Sequence, residues 1–289
     1  MHKGKKIYYK PPLPFWGQKR YFVNNYRIAV DGIIPGNGEG WTVVDVFGGS
    51  GLLSYWAKKM KPGARVVYND FDNYIERLKN IGDTNILREQ LVDFMAANGL
   101  KFDKKIPKKT KLHAELINII KRYPGYKDYV SLCSWFLFPG RDKKTFSAFT
   151  KLTLWPRIPK QPITAVGYLE GLKIVHADFR TVIQEFSGGD KTLFVLDPPY
   201  PGTLQNSYTD NGSQRFSDDD FNNLISMVSR PFILFFSDTS NISDQVIDKM
   251  KPFRSFEHCT SLSKSKYIDK MIHTVYRRKK GQKNTGDLI

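Results

Sequence analysis

Trp41-Thr42-Val43-Val44-Asp45-Val46-Phe47-Gly48-Gly49-Ser50-Gly51-Leu52-Leu53-Ser54 runs from an apolar segment into a glycine-rich turn. A helix-compatible segment, Leu52 to Met60, then follows. The apolar run reads as a buried parallel strand, and the glycines let the backbone turn sharply and pass close to a ligand. The next apolar element, Arg65-Val66-Val67-Tyr68, reads as a second strand closed by Asn69-Asp70. Asp70 falls about 20 residues past the turn, where a nucleotide-binding α/β unit sets its ribose-binding acid. The glycines alone also fit a generic turn between strand and helix. Strand, glycine turn, helix, strand and acid in sequence predict an α/β fold with a parallel sheet.

A second strand end carries more specific chemistry. The run Thr192-Leu193-Phe194-Val195-Leu196 is followed at once by Asp197-Pro198-Pro199-Tyr200. Open α/β sheets bind ligands at the carboxyl ends of their strands. Two prolines stiffen the backbone and remove two N–H donors, leaving carbonyl oxygens as acceptors. The Asp carboxylate is a further acceptor, and the Tyr ring is a flat stacking platform. Two acceptors beside a stacking face suit an exocyclic amino group on a planar base. A strand ending in a proline-rich turn is the competing reading.

Around these two motifs the chain predicts further elements. Residues 1–14 are basic, hold three prolines and read as an extended arm; residues 20–30 read as a helix with Tyr21, Phe22, Tyr26 and Val30 on one face; 33–40 is a loop. Leu172 to His176 reads as a strand and Phe179 to Phe186 as a helix. Ser217 ahead of Asp218, Asp219 and Asp220 is a helix start, with acids at the positive end of the macrodipole. Pro231 to Phe236 and Met271 to Tyr276 read as strands, the latter at an edge, and a polar tail begins near Arg277.

Composition shifts near residue 88. Between 101 and 160 there are fifteen Lys or Arg against four Asp or Glu, and Trp135, Phe136, Phe138, Phe146, Phe149 and Trp155 lie in the same stretch. Leu112 to Arg122 has the pattern of an amphipathic helix. Lysines there would neutralise phosphates and the aromatics would stack or wedge, so 88–165 is expected to be a mostly helical, DNA-contacting, target-recognition subdomain. Arg141, Lys143 and Lys144 are the candidate DNA-binding residues. A solvated basic face over a small core is the competing reading. The catalytic domain is expected in two pieces, 1–87 and 166–280, with 281–289 a tail.

The chain has 289 residues and a formal net charge of +17. That excess favours a polyanionic partner. No apolar stretch approaches the ~20 residues of a spanning helix, and no signal-peptide core follows the basic start. Cys133 and Cys259 are too few for a disulfide framework, and the five histidines lack metal-ligand spacing. The expectation is an intracellular protein that meets DNA, without a metal site or a membrane partner.

In the order of its motifs the chain resembles the DNA adenine-N6 methyltransferases of the Dam type. Those carry a Lys-bearing N-terminal motif, then Asp-x-Phe-x-Gly-x-Gly, a target-recognition insert, and Asp-Pro-Pro-Tyr. Here stand Phe15-Trp16-Gly17-Gln18-Lys19, then Asp45 to Gly51, Asn69-Asp70 and Asp197 to Tyr200. Ala177-Asp178-Phe179, Phe216 to Phe221 and Phe235 to Thr239 resemble later family motifs, so the likeness spans 12–85 and 170–278. It implies a Rossmann-like, S-adenosylmethionine-dependent methyltransferase core. It implies cofactor binding by Phe15, Lys19, Asp45, Phe47, Gly49, Gly51, Asp70 and Asp178, and catalysis by Asp197, Pro198, Pro199 and Tyr200. Asp178 also fits a helix N-cap. The family's GATC readers carry an Arg-x-Asn hairpin in the insert; none occurs between 88 and 165, so adenine methylation is implied and GATC is not.

In that chemistry one N6–H of a flipped-out adenine is donated to Asp197 and the other to the Pro198 carbonyl, while Tyr200 stacks on the base. Competing readings are a methyltransferase acting on RNA adenine or a protein amide, cytosine-N4 methylation, and a DNA-binding module that has lost catalysis. Related protein-glutamine enzymes use Asn, and cytosine-N4 enzymes usually Ser, at the position of Asp197.

Overall fold

Apolar runs four to six residues long, too short for helices, become strands because helical crossovers can cover both of their faces. The computed structural model describes residues 6–138, 146–199, 216–228, 231–237, 256–263 and 268–274, with side chains described up to Phe235. Among the described residues seven strands form one sheet: β1 (Thr42–Asp45), β2 (Arg65–Asn69), β3 (Lys173–Val175), β4 (Thr192–Leu196), β5 (Phe232–Ser237), β6 (Phe256–Ser263) and β7 (Ile268–Thr274). Their order is β3-β2-β1-β4-β5-β7-β6. The first five run parallel, and β7 is antiparallel to both β5 and β6. This is an α/β, Rossmann-like core, as the motifs imply. The strand expected at 271–276 on an edge is instead Ile268–Thr274, inside the sheet, and the edge is β6. The apolar alternation of 256–263 is too weak to have signalled a strand, and pairing with β7 makes it one.

The packing divides the chain into two compact units: Met1–Gly17 with Asn73–Tyr168, and Gln18–Asp72 with Leu169–Ile289. These bounds differ from the expected 87/88 and 165/166. The composition shift marks where lysines begin; the packing shift comes earlier, because Leu87, Leu91 and Met95 belong to the apolar core of the first unit.

In the second unit, period-two alternation splits the strands between two faces. Val44, Val67, Phe194, Leu196, Phe232 and Leu234 join one core with Phe179, Val182 and Ile183 of α8 (Phe179–Phe186) and Phe221, Leu224 and Ile225 of α9 (Asp218–Met227). On α8 those residues stand at i, i+3 and i+4, a stripe one helix face wide. Full burial of each is worth about 1.5–3 kcal/mol. α9 starts where the sequence places it. Asp220 N–H donates to the Ser217 hydroxyl at 3.1 Å, and Ser217 N–H donates to the Asp220 carboxylate at 2.8 Å. On the opposite side α1 (Val23–Ile33) sets Tyr26 against Phe235, 6.5 Å between ring centres, and Phe22 meets the same ring at 5.5 Å. Tyr21, expected on that helix face, precedes the helix and is half exposed.

The first unit is helical: α3 (Tyr74–Lys79), α4 (Ile81–Ala97), α5 (Lys111–Arg122), α6 (Tyr129–Phe136) and α7 (Phe146–Thr150). Leu116 and Ile120 of α5, four residues apart, are fully buried. Trp135, Phe136 and Phe149 are buried in this unit's core, so the expectation that they stack or wedge against a ligand is corrected. They pack there with Leu87, Leu91, Leu116, Ile120 and Leu132. The described part of the N-terminal arm packs into this unit. Tyr8 and Leu13 are buried; the Tyr8 hydroxyl donates to Val166 O at 3.0 Å, and Leu13 N–H donates to the Tyr74 hydroxyl at 3.0 Å. Arg77 makes a two-pronged ion pair with Asp128, both bonds 3.0 Å, and also donates to Pro14 O at 2.8 Å.

Candidate active site

Strand order reverses between β1 and β4, which opens a crevice at the carboxyl ends of those two strands. Asp45, the last residue of β1, is level with Val195 of β4, and Val46 N–H donates to Val195 O at 3.0 Å. The topology therefore brings together the Asp45-to-Gly51 turn and the Asp197-Pro198-Pro199 segment, 146 residues further along.

The turn is built from inside. Gly49 and Gly51 have φ of 49° and 72°, the left-handed region that favours glycine. Gly48 has another reason: a Cβ there would lie 2.3 Å from the Tyr68 ring. Gly51 N–H donates to Gly48 O at 2.7 Å, and α2 (Leu52–Met60) begins directly after it. Asn69 clips neighbouring strand ends together, with its amide donating to Val46 O and Ala177 O, each at 2.9 Å. Sequence reading passed over Asn69 as strand closure.

Asp70 sits at the end of β2, 6% exposed. The Tyr68 hydroxyl lies 2.9 Å from its carboxylate and 2.6 Å from Gly49 O, which ties the acid to the glycine turn. A ring nitrogen of His176 is 2.8 Å from Asp70 O, and Phe71 stacks on that imidazole with ring centres 5.8 Å apart. Phe71 is 49% exposed. Lying next to the acid at a strand end, it is the one aromatic that could have been singled out there.

Lys19 stands in the turn before α1, where Phe22 N–H donates to Lys19 O at 2.9 Å. Its ammonium is 2.8 Å from Asp197 Oδ1 and 5.9 Å from the Phe235 ring centre. Both partners are largely shielded, at 7% and 17% exposure. The expected cofactor lysine is thus bound to the expected catalytic acid. Pro198 is buried and Pro199 half-buried. Tyr200, Arg141, Lys143 and Lys144 lie outside the described residues.

Asp45 is the electrostatic centre. Its Oδ2 accepts a 2.6 Å hydrogen bond from Ser54, while its buried Oδ1 has no partner among the described residues. Burial raises its pKa to about 7; the nearby Asp197 charge adds to the rise and the Ser54 hydrogen bonds oppose it. The Tyr26 hydroxyl, also buried and unpartnered among the described residues, is held well above its ordinary pKa by burial and by Asp45. Between pH ~4 and ~7 the unfolded chain has lost the Asp45 proton while the folded chain keeps it. Stability from this group therefore falls as pH rises through that window and is flat above it. Asp45→Asn is expected to match wild type near pH 4 and to exceed it at pH 8 by up to about 4 kcal/mol, at ~1.4 kcal/mol per pKa unit. Chemical denaturation at the two pH values checks this; a variant less stable at pH 8 would contradict it.

The remaining candidates divide. Phe47 packs on Phe179 at 5.6 Å and Phe216 at 5.8 Å, an aromatic cluster under the turn. Asp178 accepts from Arg180 N–H at 2.9 Å as the N-cap of α8 and also pairs with the Arg180 guanidinium, which continues to Asp220 on α9. Phe15 belongs to the first unit, edge-on to Tyr74 at 5.7 Å. Among the described residues no group of His, Cys, Asp or Glu is placed to hold a metal ion, and no helix is long and apolar enough to cross a membrane.

Sheet order and the glycine turn beside Asp45 and Asp197 define a Rossmann-like α/β fold with a ligand crevice at its switch point. The chain is 39% identical over 286 residues to a Haemophilus influenzae protein named "Putative methyltransferase", covering 93% of this chain and 94% of that protein, and it belongs to that methyltransferase family. No protein-family model matches. A solved precorrin-6y methyltransferase from Geobacter metallireducens aligns over 89% of each chain at 7% identity with a TM-score of 0.33, too distant to inform fold or substrate.

Proposed function

We propose that this methyltransferase uses S-adenosylmethionine to methylate N6 of adenine in DNA. The observation that carries the reading is the Asp197 carboxylate, followed by two prolines at the switch-point crevice and held 2.8 Å from Lys19. Lys19 meets Oδ1 at 2.8 Å and fixes the carboxylate at the strand end, where it would accept a substrate N–H. The Pro198 carbonyl supplies a second acceptor beside it. Hydrogen bonds from both N6–H groups would draw the amino nitrogen towards tetrahedral geometry and stabilise the positive charge it gains, which is positioning plus electrostatics. Asn or Ser at 197 would accept more weakly.

The cofactor fits the residues present. A buried carboxylate oxygen at Asp45, without a partner among the described residues, suits a cationic amino-acid moiety. The Gly49 to Gly51 turn leaves backbone for close approach, and Asp70 suits a ribose diol. When bound, S-adenosylmethionine supplies an activated methyl group. Asp70→Ala is expected to weaken its binding by roughly 10- to 150-fold, the equivalent of a charged hydrogen bond worth about 1.5–3 kcal/mol, with DNA affinity unchanged. Calorimetry on both ligands reads this, and unaltered cofactor affinity would remove Asp70 from the site.

The substrate class is tested by offering methyl-labelled S-adenosylmethionine with duplex DNA, single-stranded DNA, RNA and protein in parallel. Label in DNA is expected; label confined to RNA or protein would redirect the reading.

A further inference from the structure

We propose that the segment from Lys101 to Lys111 grips the phosphate backbone of duplex DNA, with the Phe102 ring as its apolar contact. This deepens the DNA reading above and rests on it. The segment carries Lys101, Lys104, Lys105, Lys108, Lys109 and Lys111, all exposed, and a single acid, Asp103. That acid is turned towards Arg157, 3.8 Å away. Among the described residues none of Lys101, Lys104, Lys105, Lys108 and Lys109 has a carboxylate within ion-pair distance, so their charge is available.

What separates this stretch from an ordinary solvated run is how firmly it is built. Ile106, 2% exposed, exchanges backbone hydrogen bonds with Leu154 at 2.8 and 3.0 Å. Asp103 N–H donates to Pro156 O at 2.7 Å, and the Thr110 hydroxyl caps α5 by accepting from His113 N–H at 3.2 Å. Asp103 and Lys109 sit at φ of 58° and 66°. Left-handed backbone costs a side-chain-bearing residue about 1–2 kcal/mol, and such strain persists only where the surroundings impose it. The fixed loop holds Phe102 at 64% exposure beside Lys101, with Lys104 and Lys105 two and three residues on. A fixed backbone spares part of the ordering entropy that a floppy run loses on binding. A lone ring and a rigid loop lack the broad apolar face by which interfacial helices hold a membrane, so nucleic acid is the partner the features favour.

The test uses the full chain and measures DNA affinity at several salt concentrations. Replacing Lys104, Lys105, Lys108 and Lys109 together by Ala should flatten the log–log slope by about 2–4, at ~0.9 for each phosphate no longer neutralised. Phe102→Ala should weaken binding about 10-fold with the slope unchanged, because an apolar contact releases no counterions. If wild type binds and methylates DNA but the four-lysine variant keeps the wild-type slope, or only Lys143→Ala with Lys144→Ala flattens it, the inference fails and the DNA reading stands. If wild type prefers anionic vesicles or RNA to DNA, the inference fails together with the reading it rests on.

Discussion

Asp197→Ala is expected to lower methyl transfer by roughly 10³-fold or more, the scale on which removing one preorganised polar group acts in water-excluded sites. Under the proposed function the Ala variant loses the acceptor for one N6–H, and it leaves the Lys19 ammonium, 7% exposed, without the carboxylate it meets at 2.8 Å. Asp197→Asn separates these effects. It keeps size and one acceptor oxygen but directs an N–H2 at a substrate amino group, so turnover should fall nearly as far while a thermal melt stays closer to wild type. Single-turnover rates with labelled cofactor check both variants. Turnover near wild type in a folded Asp197→Ala protein would remove the carboxylate from the chemistry.

Asp128→Ala should strongly destabilise the first unit, by about 3–5 kcal/mol. Arg77 is 8% exposed and Asp128 3% exposed. The carboxylate accepts both guanidinium bonds and a third, at 2.7 Å, from Ser131. Removing Asp128 strands a buried cation; removing both partners does not. The double variant Arg77→Met with Asp128→Ala should therefore be less destabilised than the sum of the single changes. Equilibrium denaturation of the four proteins reads the coupling, and strictly additive effects would mean that the pair holds little of this unit together.

The parallel core was legible because its strands are unbroken apolar runs. Thr192–Leu196 is buried throughout, and β1 and β2 each end in a residue that ligand chemistry would want, Asp45 and Asn69-Asp70. β6 was not legible. Its sequence, Phe256-Glu257-His258-Cys259-Thr260-Ser261-Leu262-Ser263, has no apolar alternation to read, and it becomes a strand through pairing with β7. The acids of the site could be read from their places in motifs, but their coupling could not. Lys19 and Asp197 are 178 positions apart, and only the sheet order brings them together. Gly48 shows the opposite limit: a glycine read as room for a ligand is required by the ring of Tyr68. The aromatics of the insert misled for a similar reason, since burial of Trp135, Phe136 and Phe149 depends on partners that no local pattern names.

In the proposed function the methyl acceptor is one atom, the exocyclic nitrogen of an adenine beside Asp197. Its most direct test is digestion of DNA methylated by the full chain to nucleosides, with the labelled product identified by mass and chromatography. The account predicts N6-methyladenosine as the deoxynucleoside, absent from a parallel reaction with Asp197→Ala. Label in N4-methylcytosine, or no label in DNA while another acceptor is methylated at an undiminished rate, would contradict it.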